Sequence, residues 1–267
     1  MHAGPKFSEL TTVAIDAVRQ AGAILRKGFG TNYKIELKPG IQNYVTEYDY
    51  ASEKLIIEII QNHYPSHSFL GEECGSIPND NSEILWIIDP LDGTTNFAHH
   101  IPLFCISLGA YNHKEMVSGV IYQPITDELF VAEKGQGSYL NGKRLQVSNT
   151  VSFKGGMGAT GFPRNIIENP LHCIDHFINI LKTGTIIRNI GSSAINLAYV
   201  AAGRFDAYWA ISLHSWDIAA GKLLIEEAGG KMTTYLGKEY DVLSNAPIVA
   251  TNSLIHEELL SFLKLNV

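Results

Sequence analysis

The stretch 86–97 constrains this chain most strongly, because it joins an apolar run to a group of carboxylates and hydroxyls. The apolar run 84–88 is short and rich in β-branched residues, which predicts a buried strand. Asp89 and Asp92 follow it, and Pro90 fixes the turn between them. Both carboxylates can therefore converge on one point at the end of the strand.

Gly93, Thr94 and Thr95 come next and predict the first turn of a helix. A helix start offers free backbone N–H groups and the positive end of a dipole, which suits a phosphate. The neighbouring carboxylates would repel a phosphate unless a cation lay between them, and Mg²⁺, which prefers oxygen ligands, meets that need. The stretch thus indicates metal-bridged phosphate chemistry. The alternative is a polar turn with a helix cap, and so short a motif does not decide between the two.

The composition limits the classes of function that remain. With 267 residues, the chain can form one large domain or two closely packed subdomains. Its net charge of −7 argues against nucleic-acid binding through basic patches, although bound metals can reverse the local field for an anionic substrate. Cys74, Cys105 and Cys173 are far apart, so they indicate neither a zinc site nor a disulfide framework and predict reduced thiols in the cytoplasm. No run of about 18 apolar residues appears, so we expect no membrane span.

The order of apolar patterns predicts an α/β protein whose two halves differ. The first half should contain helices over 7–28 and 47–63, and strands over 33–37, 68–70, 104–111, 116–122 and 128–133. The last three strands are joined by short polar turns, which indicates an antiparallel meander. The second half should alternate, with helices over 171–182, 192–202, 216–228 and 253–264, and strands over 185–188, 205–210 and 247–251. The loop-rich segment 148–165 separates the halves, so we predict a single domain over 1–267 with subdomains of about 1–150 and 151–267.

Carboxylates also stand at three other predicted strand ends or helix starts. Asp49 lies in the first turn of a helix, Glu72 follows a short strand, and Asp217 lies just inside the start of another helix. Each alone has an ordinary explanation, such as a helix cap or a dipole partner. Four motifs in this order resemble those of the inositol monophosphatase family: Val45-Thr46-Glu47-Tyr48-Asp49, Gly71-Glu72-Glu73, the stretch 86–97, and Trp216-Asp217-Ile218-Ala219-Ala220-Gly221.

The resemblance covers nearly the whole chain and implies both a fold and an activity. The fold would be a layered αβαβα sandwich, with an antiparallel sheet in the N-terminal half and a smaller mixed sheet in the C-terminal half. The activity would be hydrolysis of a phosphate monoester, first of all inositol 1-phosphate, with two or three Mg²⁺ ions and with sensitivity to Li⁺. Family members are usually dimers, so we expect a second copy of the chain as a partner. From the net charge and the lack of a long apolar run we expect neither a nucleic acid nor a membrane as a partner.

The resemblance also implies roles for individual residues. The metal ligands would be Glu72, Asp89, Asp92, Asp217 and the carbonyl oxygen of Leu91. The backbone N–H groups of Gly93 and Thr94 would bind the phosphate. The Thr94 hydroxyl, held by Asp49, would orient a water with help from Glu72. Further substrate contacts would come from Lys38, Asp92, Gly191, Ser192, Ser193 and Asp217.

One position departs from the family pattern. Inositol-specific members carry a glutamate at the end of the strand before the Trp-Asp motif, and this chain has Ala210 there. A buried polar contact to a substrate hydroxyl supplies much of the discrimination between substrates. Fructose 1,6-bisphosphate, NADP, a nucleotide phosphate or a broad range of esters are therefore alternative substrates. Ser193 also fits a helix cap, and Lys38 also fits an exposed lysine beside a turn.

A function of a different class is a non-catalytic interaction protein built on the same scaffold. That function predicts that some of the metal-binding side chains are missing. All the side chains that the enzyme requires are present, so the sequence favours the enzyme. They are Asp49, Glu72, Asp89, Asp92, Thr94 and Asp217.

Overall fold

The protein is layered in the order helix, sheet, helix, sheet, helix, as the computed structural model shows for residues 5–38 and 44–263. The helices are α1 (Glu9–Gly28), α2 (Glu47–His63), α3 (Thr94–Ala98), α4 (Cys173–Leu181), α5 (Ser193–Ala201), α6 (Ser215–Glu227) and α7 (His256–Leu263). The first ten strands are β1 (Ile35–Leu37), β2 (Tyr44–Thr46), β3 (Ser68–Gly71), β4 (Gly75–Ile77), β5 (Leu85–Asp92), β6 (Cys105–Tyr111), β7 (Met116–Gln123), β8 (Glu128–Glu133), β9 (Gly137–Leu140) and β10 (Lys143–Arg144). The others are β11 (Met157–Thr160), β12 (Ile186–Arg188), β13 (Ala207–Ala210), β14 (Lys231–Thr234) and β15 (Ile248–Thr251). The αβαβα layering expected from the sequence is confirmed.

The larger sheet has the strand order β10-β9-β8-β7-β6-β5-β3-β4. Its neighbours are antiparallel except for β3 and β5, which run parallel with Ser68 opposite Leu85. The prediction of an antiparallel N-terminal sheet is therefore wrong at this pair. The reason lies in residues 75–83, whose composition indicated only a loop. There β4 reverses the chain along the outer edge of the sheet, so that β5 enters on the other side of β3 and in its direction.

The smaller sheet has the order β12-β11-β13-β15-β14. Strands β12, β11 and β13 are parallel, whereas β15 is antiparallel to both β13 and β14. The mixed sheet expected in the C-terminal half is thus confirmed. Because β11 and β13 are parallel neighbours, the loops that follow them leave the same edge of this sheet.

Both faces of β5 are buried against helices. Trp86 and Ile88 pack with α1 and α2, while Ile87 points the other way and packs with α5 and α6. On the far side of the smaller sheet, Trp209 packs with residues of α4 and α7. The helices α5 and α6 therefore form the central layer between the two sheets. None of the described helices is long and apolar enough to cross a membrane.

Helix α6 lies very close to the larger sheet. A Cβ atom at Gly119 would lie 2.8 Å from the carbonyl oxygen of Ala220, and one at Gly109 would lie 3.2 Å from the Cβ of Ala219. Glycine at these positions of β6 and β7 lets the helix approach the strands directly. Since Asp217 lies in the first turn of α6, this contact also sets the position of its carboxylate.

Candidate active site

The end of β5 brings two carboxylates into one cavity. Residues three apart on a regular strand point to opposite faces. Here the register with β6 shifts between Asp89 and Asp92, beside Pro90, and both aspartates line the same cavity. The Asp89 carboxylate also accepts a hydrogen bond from the N–H of Leu91 at 3.0 Å. The convergence expected around Pro90 is therefore present.

Helix α5 fixes the carboxylate of Asp92. Its Oδ2 accepts hydrogen bonds from the Ser192 hydroxyl at 2.5 Å and from the Ala194 N–H at 2.6 Å. Ser192 is also the N-cap of α5, where its oxygen accepts from the N–H of Ile195. Burial raises the pKa of Asp92 to about 6, and the hydrogen bonds from α5 oppose that rise. The loop before α5 thus holds one carboxylate of the cluster in a fixed orientation.

Asp217 completes a cluster of three aspartates. In the first turn of α6 its Oδ2 accepts a hydrogen bond from the N–H of His214 at 2.7 Å. Asp89, Asp92 and Asp217 each place one oxygen so that all three oxygens lie within 4.8 Å of one another. Two aspartates come from the larger sheet and the third from the central helix layer, so the cluster forms only when these layers pack together.

The electrostatics of this cluster favour a bound cation. Burial raises the pKa of Asp89 well above its ordinary value, and the charges of Glu72, Asp92 and Asp217 raise it further. The pKa of Asp217 shifts in the same direction, through burial first and then through repulsion by Asp92. Several buried carboxylates at this spacing are costly when ionised alone, and they are the oxygen ligands that hard divalent cations prefer. The donor set therefore fits the Mg²⁺ that the sequence implied.

Thr94 connects this cluster to Asp49 on α2. Its hydroxyl oxygen lies 3.1 Å from Asp49 Oδ1 and 3.0 Å from the carbonyl oxygen of Leu91. Asp49 Oδ2 closes a capping box, since it accepts from the N–H of Thr46 at 2.8 Å and from the Thr46 hydroxyl at 2.6 Å. Burial raises the pKa of Asp49 to about 7. Asp49 lies behind Thr94, as the sequence led us to expect.

The turn between β5 and α3 depends on glycine. Gly93 has φ of 97°, and a Cβ atom there would lie 2.9 Å from the carbonyl oxygen of Leu103. Asn96 of the short helix that follows donates hydrogen bonds to the carbonyl oxygens of Leu103 at 2.7 Å and Ile190 at 2.8 Å. These contacts tie the turn that carries Thr94 to the loop that contains Gly191.

Glu72 and Lys38 lie together at the side of the cluster. The Lys38 ammonium is 3.2 Å from Glu72 Oε1 and also pairs with Glu73. Only 3% of the Glu73 side chain is exposed. The sequence predicts Glu73 to be a solvated neighbour of Glu72, and this prediction is wrong, because two adjacent glutamates after a strand do not reveal which of them is buried. Lys38 therefore balances two neighbouring carboxylates at the rim of the aspartate cluster.

Most of the predicted site residues line two adjoining cavities, whereas Lys38 lines a third space and Asp49 lies behind Thr94. We call the first the acidic cavity; it has a volume of about 160 Å³ and is lined by Glu72, Asp89, Leu91, Asp92, Gly93, Thr94, Gly191 and Asp217, together with Tyr44, Thr95 and Arg164. The second, the distal cavity, has a volume of about 550 Å³ and includes Gly191, Ser192 and Ser193. Gly191 and Arg164 line both cavities, so the two spaces adjoin.

Arg164 was missed by the sequence analysis. It belongs to a stretch that composition indicated as loop, four residues after the end of β11. Its neighbourhood includes the loop after β13, because β11 and β13 are parallel neighbours in the smaller sheet. That pairing is a long-range contact that the local pattern does not show. Ala210, which ends β13, is 2% exposed and lies between Trp209 and Ile211 in the chain.

Comparison with known proteins places these features in a family. The sequence model of the inositol monophosphatase family matches residues 6–265. An inositol-1-monophosphatase of Mesorhizobium japonicum is 39% identical over 259 residues, which cover 96% of this chain and 97% of that protein. A Nus factor SuhB of Pseudomonas aeruginosa is 37% identical over 259 residues, with 94% of each chain covered.

The fold has equally close relatives among solved structures. The extragenic suppressor protein suhB of Bartonella henselae superposes with a TM-score of 0.92 at 37% identity. The alignment covers 97% of this chain and all of that one. The layered architecture is therefore shared along nearly the full length of both proteins.

Proposed function

Because the chain belongs to the inositol monophosphatase family and is a phosphomonoesterase, we propose that it hydrolyses a polyol phosphate with Mg²⁺ at the acidic cavity. The family acts on small phosphate monoesters and is metal-dependent. The observation that carries the proposal for this chain is the cluster of Asp89, Asp92 and Asp217, whose oxygens lie within 4.8 Å of one another. We infer that two or three ions are held there, with Glu72 and the carbonyl oxygen of Leu91 as further ligands.

Bound Mg²⁺ would supply positive charge to the phosphate and lower the pKa of a nearby water. The chain's own residues would do the rest. When the Thr94 hydroxyl donates a hydrogen bond to Asp49, the lone pairs of the hydroxyl oxygen are free to accept a hydrogen bond from the attacking water. Glu72, on the rim of the acidic cavity, would orient the same water. The N–H groups of Gly93 and Thr94 would receive the phosphate oxygens, which fits their place in the cavity wall.

Inositol 1-phosphate is the substrate that the family suggests first, but Ala210 supports a pocket that is not restricted to inositol. A methyl group accepts no hydrogen bond, so the contact that a glutamate would make to an inositol hydroxyl is lost. Fructose 1,6-bisphosphate and NADP therefore stay within the proposed range of substrates. We also infer a homodimer, on the basis of the family resemblance.

The experiment that tests the metal cluster compares Asp89→Asn with the matched control Asp16→Asn, whose side chain is exposed on α1. Phosphate release from inositol 1-phosphate is measured with Mg²⁺ and with EDTA. We expect Asp89→Asn to lose roughly a thousandfold or more in kcat, because one of the carboxylates that would hold the metal is gone, and Asp16→Asn to match the parent chain. The melting temperature in EDTA should not fall for Asp89→Asn, because the substitution removes a carboxylate whose ionisation burial disfavours. Full activity of Asp89→Asn would refute the proposed ligand.

The name Nus factor SuhB, borne by several relatives at 36–37% identity, makes a role in transcription the second candidate. The net charge of −7 favours a protein partner over direct contact with nucleic acid. The Asp89→Asn variant separates the two functions in the organism that carries the chain. Rescue of a deletion phenotype by this variant would support a binding role, whereas rescue by the parent chain alone would support the phosphatase.

A further inference from the structure

The distal cavity differs from the acidic cavity in charge as well as in size. The acidic cavity is lined by four carboxylates and has a volume of about 160 Å³, which suits a single phosphate with its metal ions. The distal cavity is larger, at about 550 Å³, and no carboxylate belongs to the described residues that line it. A volume of this order accommodates a small ligand rather than a lone ion. The structure therefore has a second, larger compartment without carboxylates beside the aspartate cluster.

Arg164 provides the positive charge between these compartments. It lines the acidic cavity and the distal cavity, and also a third space that it shares with Lys38, His214 and Asp217. Its guanidinium group is near enough to Asp217 to oppose the rise in pKa that burial and Asp92 impose on that carboxyl. Among the residues that the structure describes, Arg164 has no salt-bridge partner within 4 Å. Arginine binds carboxylate and phosphate groups with two parallel hydrogen bonds, so this side chain suits an anion entering the distal cavity.

The rest of the distal cavity suits the hydroxyl groups of a polyol. Asn196 is 2% exposed, and its side-chain oxygen has no hydrogen-bond partner among the described residues. Since a buried acceptor without a partner is costly, a hydroxyl donor from a ligand would satisfy it. The hydroxyls of Tyr208 and Ser193, which lie 3.0 Å apart, line the same space. Ala210, between the lining residues Tyr208 and Ile211, adds no negative charge that would repel an anion.

We propose that the distal cavity is a subsite for a second anionic group, bound by Arg164, and that the preferred substrate is a polyol with a phosphate monoester and a second phosphate. This inference rests on the proposed phosphatase function and specifies the substrate class of that site. The phosphate in the acidic cavity is hydrolysed, Asn196 accepts a hydrogen bond from a polyol hydroxyl, and Arg164 holds the distal phosphate. Arg164 is thereby a specificity-determining residue that contributes to substrate binding.

Two substrates that differ in one group test the proposal directly. Fructose 1,6-bisphosphate and fructose 1-phosphate share the same ester at C1 and differ only in the phosphate at C6. Values of kcat/KM for both are measured with Mg²⁺ for the parent chain, Arg164→Gln, Arg164→Lys and the control Lys182→Gln. Lys182 is exposed at the end of α4, and its substitution removes the same charge from the protein surface.

We expect the parent chain and Lys182→Gln to prefer the bisphosphate by about tenfold or more, mainly through a lower KM. In Arg164→Gln the preference should fall to within about threefold, and Arg164→Lys, which keeps the charge but not the paired donors, should be intermediate. Equal kcat/KM values for the two esters in the parent chain would overturn the subsite while leaving the proposed phosphatase function intact. A preference that persists unchanged in Arg164→Gln would also overturn it. If the parent chain hydrolysed neither these esters nor inositol 1-phosphate, both proposals would fail together.

Discussion

At the scale of single residues, the hydroxyl of Thr94 links the acidic cavity to its buried support. It has one proton and two acceptors nearby, Asp49 Oδ1 at 3.1 Å and the carbonyl oxygen of Leu91 at 3.0 Å. An ionised carboxylate is a stronger acceptor than a carbonyl oxygen, so a charged Asp49 orients the Thr94 hydroxyl. The other two bonds to Asp49 come from Thr46 and keep the carboxylate in place independently of Thr94.

This arrangement predicts that Thr94→Val loses at least about a hundredfold in kcat, because valine has nearly the shape of threonine but no hydroxyl. Thr94→Ser keeps the hydroxyl and should stay within about tenfold of the parent chain. Both variants are assayed for Mg²⁺-dependent phosphate release, with melting temperatures measured in parallel. Near-normal kcat in Thr94→Val, at an unchanged melting temperature, would show that the hydroxyl has no part in the reaction.

The residues whose placement the sequence predicted are those with a local signal. Asp89 and Asp92 follow an apolar strand, and Asp49 and Asp217 lie in the first turns of helices, so the pattern of the chain located each of them. Arg164 has no such signal, because its neighbours come from a parallel strand pairing far away in the sequence. The roles assigned to individual residues stay predictions until variants are measured.

At the scale of elements, the long amphipathic helices were predicted most closely. The helix expected over 47–63 is α2, Glu47–His63, where the Thr46–Asp49 capping box marks the start. The edge strands β4 and β14 were not predicted, since each contains only one large apolar residue and so shows no apolar run or alternation. The segment before α4 is also irregular, with φ above zero at Asn169, Leu171 and His172. Nothing in the composition of residues 171–182 distinguished that first turn from the regular helix that follows.

The contact of α6 with the larger sheet predicts a long-range effect of Gly119→Ala. The added methyl group would meet the carbonyl oxygen of Ala220 at 2.8 Å, and backbone atoms cannot move aside as a side chain can. We expect a loss of about 1–3 kcal/mol in the free energy of unfolding. Because the helix that carries Asp217 is displaced, we also expect the affinity for Mg²⁺ to be roughly tenfold weaker. Denaturant unfolding and the Mg²⁺ dependence of phosphate release measure the two effects.

Gly229→Ala is the matched control for that experiment. Gly229 follows the other end of α6 with φ of 89°, and a Cβ atom there would have no neighbour within 4 Å. The control should lose about 1 kcal/mol through backbone strain alone, with the Mg²⁺ dependence unchanged. If both variants weakened Mg²⁺ binding to the same degree, general destabilisation would explain the effect, and the helix displacement would be wrong.

At the scale of the whole molecule, the candidate site takes residues from four of the five layers. The larger sheet supplies Asp89 and Asp92, α2 on its outer face supplies Asp49, and the central helix layer supplies Asp217. The smaller sheet adds the loop with Arg164 and the strand with Tyr208, which line the distal cavity. The predicted division near 150 would assign the aspartate cluster to both subdomains, so the site requires their packing. The division itself and the cytoplasmic location stay predictions.

The buried carboxylates also predict how the stability of the metal-free protein depends on pH. In the unfolded chain the pKa of aspartate is about 4. In the folded chain burial raises the pKa of Asp92 to about 6 and that of Asp49 to about 7. Between these values the folded state holds more protons than the unfolded state, so the free energy of unfolding falls as the pH rises. The stabilisation that these two raised pKa values provide is on the order of a few kcal/mol. It is fully present below about pH 4 and is lost near pH 7.

In EDTA we therefore expect a lower melting temperature at pH 8 than at pH 5. Because the cation binds the ionised carboxylates, we expect Mg²⁺ to raise the melting temperature more at pH 8 than at pH 5, with a gain at pH 8 of roughly 5 °C or more. Thermal unfolding at the two pH values, with Mg²⁺ and with EDTA, measures both effects. Asp89→Asn serves as the comparison, since one carboxylate fewer in the cluster should reduce both the pH dependence and the gain from Mg²⁺. A gain from Mg²⁺ that is equal at the two pH values would contradict the link between the cluster and the cation. We therefore expect the fold to hold together carboxylates whose ionisation destabilises it until a divalent cation binds.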